Sequence, residues 1–249
     1  MNIYVCISHV PDTTTKVLIG SDGKSIDSSG VSWILNPYDE FGVEAGLLLK
    51  EARGGEVTVI CVGPDAVKET IRKAFAMGAD KGIHLKTDEK RDSYGIASAI
   101  AGILKERKPD VVFCGRQSLD YDGWQVPGIL AALLDIPSVS VVSALEISED
   151  GLVKAERDIE GGKETVVTNL PAVISAQKGL NNPRYPKLQG IMAAKKKPIE
   201  EIVPAPCELR VETLEMVKPP VKQAGRIVGN GAEAVPELLR LLHEEAKVI

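Results

Sequence analysis

The chain has 249 residues, of which 44% are hydrophobic and 26% charged, with a formal net charge of −5. That is apolar material for one substantial core with an appendage, and the acidic balance argues against a general nucleic-acid binder. No apolar run approaches the roughly 20 residues that span a bilayer, and MNIYVCISHV opens a strand-like pattern rather than a signal-peptide layout, so the expected place is the cytosol, without membrane insertion.

Strands are predicted over residues 2–7, 57–62, 83–86 and 111–114, each a short run rich in β-branched residues. Between them lie three helical patterns. Asn36 stands at a helix start, with Pro37 at the first position, Asp39 and Glu40 in the first turn, and Arg53 before Gly54-Gly55 at the end. A second helix is predicted from about Asp65 to Met77, and a third from Ser93 to Arg107, stopped before Pro109. Strand and helix alternate, which defines an α/β protein: a Rossmann-like open, mostly parallel sheet with helices on both faces. After residue 138, SVSVVSALEIS, LVKAERDI, KETVVTNL and PAVISA read as successive strands of an antiparallel extension. Prolines then break the periodicity, and residues 179–230 read as an extended arm before a final amphipathic helix around Leu238, Leu239, Leu241 and Leu242. The division expected is residues 1–190 as a nucleotide-binding domain and 191–249 as a C-terminal arm and helix.

Cys6, Cys61 and Cys114 sit in apolar runs without CxxC spacing and read as core residues. His9, His84 and His243 are too scattered to argue a metal site. Gly229-Asn230-Gly231-Ala232-Glu233-Ala234 fits GxGxxA spacing, but too little chain follows for a βαβ unit. No nucleophile elbow occurs, so no catalytic residue is assigned.

In open α/β sheets ligands lie beyond the carboxyl ends of the strands, which directs attention to the loops after residues 7, 62 and 114. In the last of these, Gly115 allows close backbone approach, Asp122 is placed to cap the following helix, and free N–H groups at that helix start suit a phosphate. The same residues equally describe a surface loop whose acids only cap a helix. Cys61-Val62-Gly63-Pro64-Asp65 offers a second backbone wall, or a common turn. Lys195-Lys196-Lys197, on charge alone, is a solvated face.

Six segments in one order resemble the β subunit of electron-transfer flavoproteins: VPDTT, NPYDEFGVEAGLLLKE, GPDAVKETIRKAFAMGADKGIHL, GRQSLDYDGWQ, VKAERDIEGGKETVVTNLPAVISA and LNNPRYPKLQGIMAAKKKP. The resemblance covers nearly the whole chain. It implies an electron carrier without turnover of its own, in a heterodimer with a larger α subunit that holds most of the FAD. It implies AMP in this chain, or a second FAD as in the bifurcating branch. The implied adenine-nucleotide contacts are Cys6, Asn36, Pro37, Tyr38, Asp39 and Val62. To these it adds the loop of Gly115, Arg116, Gln117, Ser118, Leu119, Asp120, Tyr121, Asp122, Gly123, Trp124, Gln125 and Val126. Thr13 and Tyr38 would lie towards the flavin ring. Residues 185–197 resemble the loop that docks acyl-CoA dehydrogenases: Leu188 would be its anchor, with Tyr185, Ile191 and Met192 beside it and Lys195, Lys196 and Lys197 steering an acidic partner. A quinone-linked reductase would take the electrons. Departures from the family pattern are Ser8-His9, Pro127, Tyr121 and Trp124. A free-standing adenine-nucleotide-binding regulator is the rival reading, and a nicotinamide dehydrogenase is disfavoured because the first turn lacks a glycine fingerprint.

Overall fold

The computed structural model describes residues 1–221 and 224–249, which fall into two units, Met1–Leu214 and Glu215–Ile249. The first unit is built on strands β1 (Asn2–Cys6), β4 (Glu56–Gly63), β5 (Lys81–Lys86) and β6 (Val111–Gly115), with helices α1 (Pro37–Arg53), α2 (Val67–Met77) and α3 (Ser93–Arg107) between them. A short hairpin of β2 (His9–Pro11) and β3 (Trp33–Leu35) precedes α1, and the sequence reading passed over it. Alternation along the strands divides the core. Ile3, Val5, Val57, Val59 and Phe113 join Val43, Leu47, Ile71 and Phe75 on the face covered by α1 and α2. Tyr4, Cys6, Ile60, Val112 and Cys114 join Ile100 and Leu104 of α3 and Leu130 of α4 (Gln125–Leu134) on the other. The predicted doubly wound architecture is therefore present.

The later strands are β7 (Ser138–Ile147), β8 (Leu152–Ile159), β9 (Gly162–Asn169) and β10 (Ala172–Ala176). Within the large sheet, as far as the described residues go, only the pairings of β7 with β8 and of β8 with β9 are antiparallel. PAVISA, expected in that extension, supplies β10, which instead inserts between β6 and β7 and runs parallel to both. All five of its residues are buried, as expected for an interior strand of a parallel sheet. Where β7 leaves β10 for β8, its register shifts, and Val141, at φ 63, passes its N–H to the buried Ser175 hydroxyl at 3.0 Å.

Among its described residues, which leave out 222 and 223, the predicted arm contains two regular pieces. Helix α5 (Leu188–Ala194) packs on α2 so closely that a Cβ at Gly190 would stand 2.7 Å from the Ala76 carbonyl oxygen. Strand β11 (Glu200–Ile202) adds to β5 and completes a nine-stranded sheet in the order β11-β5-β4-β1-β6-β10-β7-β8-β9. The second unit contains helix α6 (Val235–Glu244), in which Arg240 pairs with Glu237 and Glu244. Leu238 and Leu239 of that helix are exposed. Among the described residues no helix is long and apolar enough to cross a membrane.

Candidate functional site

The carboxyl ends of β1, β4 and β6 open on one cavity of ≈ 770 Å³, into which Cys6, Val62, Cys114 and Gly115 face. That volume falls in the range of small-molecule sites. Asp39 fixes two of its walls relative to each other. Its carboxylate, buried under the first turn of α1, accepts the Ser8 N–H at 2.6 Å and the Gly115 N–H at 3.0 Å. Burial pushes this carboxyl up to about 7, against amide and side-chain donors that hold it down. Gly115 is required by the same contact: a Cβ there would fall 2.1 Å from Asp39 Oδ1.

Asn36 occupies the N-cap position of α1 but makes no side-chain cap bond. Its Nδ2 donates instead to the Gln117 carbonyl at 2.8 Å, tying the helix start to the loop after β6. Asp122, expected to cap α4, stands at φ 51 and accepts from the Gln117 amide; Trp124 takes the N-cap position and no side chain caps the helix. The reason is geometric: a left-handed residue two places before the N-cap points its carboxylate back into the loop. The first turn of α4 keeps its free N–H groups, and Gln125 and Val126 line the cavity.

Arg116, Gln117, Ser118, Asp120, Tyr121 and Gly123 also line the cavity, as does Asp39. The Arg116 guanidinium lies 3.8 Å from the Trp124 ring centroid and 5.7 Å from that of Tyr38, an arrangement that stores positive charge on aromatic faces. Asn36, Pro37, Tyr38, Leu119, Asp122 and Trp124 stand behind or beside the wall rather than in it. Three buried polar atoms of wall residues lack a protein partner: Gln117 Oε1, Arg116 Nε and Arg91 Nε. Buried polar atoms of this kind are normally satisfied, so a polar ligand with both donors and acceptors fits the donor set.

The sequence reading missed one whole wall. The start of α3 brings Arg91, Asp92, Ser93 and Tyr94 to the cavity, and residues 209–213 line it beside them, with Arg210 and Val211 bonded to Asp92. Asp92 directly before a helical run was a visible N-cap signal; residues 209–213 carried none. His84 lies with Asp65 and Glu201 as potential ligand atoms within 4.8 Å of one another, but Lys68 and Lys86 hold the two carboxylates in ion pairs.

The candidate docking segment includes α5, which packs on α2. Tyr185, Leu188, Ile191 and Met192 are exposed, Leu188 at 73%. Arg72 donates to the Ala194 and Lys195 carbonyls at 2.8 and 3.1 Å. Lys197, expected among the steering charges, turns inward: its ammonium donates to the Ala79 carbonyl at 2.6 Å and lies over Phe75. Lys195 and Lys196 remain exposed.

These features define an α/β protein with a ligand crevice at the carboxyl ends of a doubly wound parallel sheet. The family profile described as "Electron transfer flavoprotein domain" matches residues 24–206. The chain is 39% identical over 260 aligned residues to "Electron transfer flavoprotein subunit beta" of Bacillus subtilis (strain 168), covering 100% of both. It is 40% identical to the protein of that name from Syntrophomonas wolfei, over 90% of this chain and 88% of the relative, and 35% identical to that of Dictyostelium discoideum, over 96% and 97%. The chain belongs to the electron transfer flavoprotein family, as a β subunit with a role in electron transfer.

Proposed function

We propose that the cavity holds an adenine nucleotide, AMP, and that the chain works in the cytosol as half of a heterodimer whose α subunit carries the FAD. In that complex the flavin supplies the redox chemistry, accepting electrons from acyl-CoA dehydrogenases and releasing them to a quinone-linked reductase. This chain binds, orients and recognises. The observation that carries the reading is the uncapped first turn of α4 beside Arg116, with its unpartnered Nε, and the unpartnered Gln117 Oε1. Free helix N–H groups and a guanidinium suit a phosphate, and a buried amide oxygen suits a base or ribose donor. Cys6, Asp39, Val62 and the lining residues between Gly115 and Val126 would form the site, with Asn36, Pro37, Tyr38, Leu119, Asp122 and Trp124 supporting it. Leu188, flanked by Tyr185, Ile191 and Met192, would enter an apolar pocket of the dehydrogenase, with Lys195 and Lys196 steering the approach.

The cavity's ≈ 770 Å³ lies high in the usual range and favours a second reading, in which FAD takes the place of AMP and the complex is of the bifurcating kind. Mass spectrometry of small molecules released on denaturing the purified complex separates the two. Stoichiometric AMP with one flavin supports the first reading, two flavins without AMP the second. A chain that purifies without a second subunit would point to the free-standing adenine-nucleotide-binding regulator instead.

A further inference from the structure

The cavity wall formed by residues 209–213 has no regular secondary structure and lies beyond the region that the family profile covers. It is nevertheless pinned at several places. Asp92 Oδ1 accepts the Gly95 N–H at 2.8 Å, capping α3, while its Oδ2 accepts the N–H groups of Arg210 and Val211 at 2.5 and 2.9 Å. Next to it Arg91, whose side chain is 5% exposed, donates from Nη2 to the Ala205 carbonyl at 2.8 Å. The Arg210 guanidinium rests 5.0 Å from the Tyr94 ring centroid. At the far rim Glu212 pairs with Lys24 at 3.2 Å. Asp92, Arg91, Tyr94, Lys24, Arg210 and Glu212 all line the cavity themselves.

We propose that residues 205–213 form a strap that closes the nucleotide cavity, with Asp92 the positioning residue that seats it, so that nucleotide binding and strap closure are thermodynamically coupled. The inference rests on the reading of the cavity as an adenine-nucleotide site. One carboxylate serves two tasks through separate oxygens: a wall of the cavity (the start of α3) and its cover (the strap) share a single ionised acceptor. Burial raises the Asp92 carboxyl, but the three amide donors together with the Arg210 charge lower it on balance, so the anion is the favoured form. A ligand that contacts both wall and cover stabilises the closed arrangement by its differential affinity for it, and closure in return slows the ligand's escape.

The separate oxygens allow a clean test in the full heterodimeric complex. Asp92→Asn keeps an oxygen for the Gly95 N–H, since asparagine caps as well as aspartate, but presents an amide NH₂ to the two strap N–H groups. AMP release, followed by displacement with labelled AMP, is expected to quicken about tenfold, the effect of losing charge-assisted hydrogen bonds. Trypsin cleavage after Arg210, slowed by AMP in the wild type, is expected to become insensitive to AMP. Asp92→Ser, which retains a capping oxygen too short to reach the strap, should behave the same way. AMP that binds to the wild type and leaves Asp92→Asn at the wild-type rate overturns the strap while the site reading stands. A wild-type complex that takes up no AMP overturns the site reading, and the coupling with it.

Discussion

Arg184 grips Glu44 of α1 through two side-chain hydrogen bonds, Nε to Oε2 at 2.8 Å and Nη2 to Oε1 at 2.9 Å, and its own backbone N–H adds a third at 3.1 Å. The guanidinium reaches on to Glu51 at 2.6 Å. The Glu44 side chain is only 5% exposed, and Arg184 is its ion-pair partner.

Arg184→Ala should therefore cost about 3 kcal/mol in urea unfolding, because it strands a buried carboxylate. Arg184→Lys should recover only part of the loss, since an ammonium cannot reproduce the paired geometry. A cost below about 1 kcal/mol, the ordinary range for exposed ion pairs, would show that Glu44 is hydrated.

Asp39 gives the fold a pH dependence of defined sign. Its folded-state value near 7 lies above the ordinary 3.8, so the folded chain holds the extra proton between about pH 4 and 7. Its contribution to stability is full below pH 4 and declines as the pH rises towards 7, by up to about 1.4 kcal/mol per pH unit. Unfolding free energies measured from pH 4.5 to 7.5 should show that slope, and Asp39→Asn should remove it.

Gly115→Ala should separate α1 from the end of β6, because its methyl group would meet Asp39 Oδ1 and the backbone of Tyr38 and Asp39 at 2.8 Å or less. Nucleotide content per purified complex is expected to fall at least tenfold, on the scale of an overpacked core site. Full occupancy in this variant would remove the Asp39–Gly115 contact from the design of the pocket.

Leu188→Ala should raise the KM of the complex for the donor dehydrogenase by about tenfold or more, as truncation of an interface anchor does, while nucleotide content stays constant. Lys195→Glu should act differently, lowering the association rate in a salt-dependent way. Unchanged transfer kinetics in both variants would place the docking surface elsewhere.

The alternation of apolar runs with amphipathic helices was enough to read the core of this fold, because both faces of the sheet are covered and β1, β4 and β6 carry apolar runs rich in β-branched residues. PAVISA could not be placed by pattern: a short run that is apolar except for Ser175 says that a strand is buried, not which neighbours it has. The site was legible where a single residue declares its conformation, as at Gly115 and the Asn36-Pro37 helix start. It was illegible where function depends on chain remote in sequence. Arg210 and Val211 are 118 and 119 positions from Asp92, whose carboxylate they meet, and nothing local marks them as a wall. Asp122 misled because a capping residue and a loop-bracing residue have the same chemistry and differ only in φ.

The seating of α5 has an energetic meaning for whatever lands on it. Gly190 lets the helix backbone settle against Ala76, Arg72 holds its end by two carbonyls, and Lys197 closes the exit over Phe75. Leu188, Ile191 and Met192 are thus presented from a pedestal already frozen in place. On the proposed docking role, an incoming protein would meet a surface whose ordering entropy was spent when the chain folded, so contacts there would translate into complex lifetime with little deducted for immobilisation.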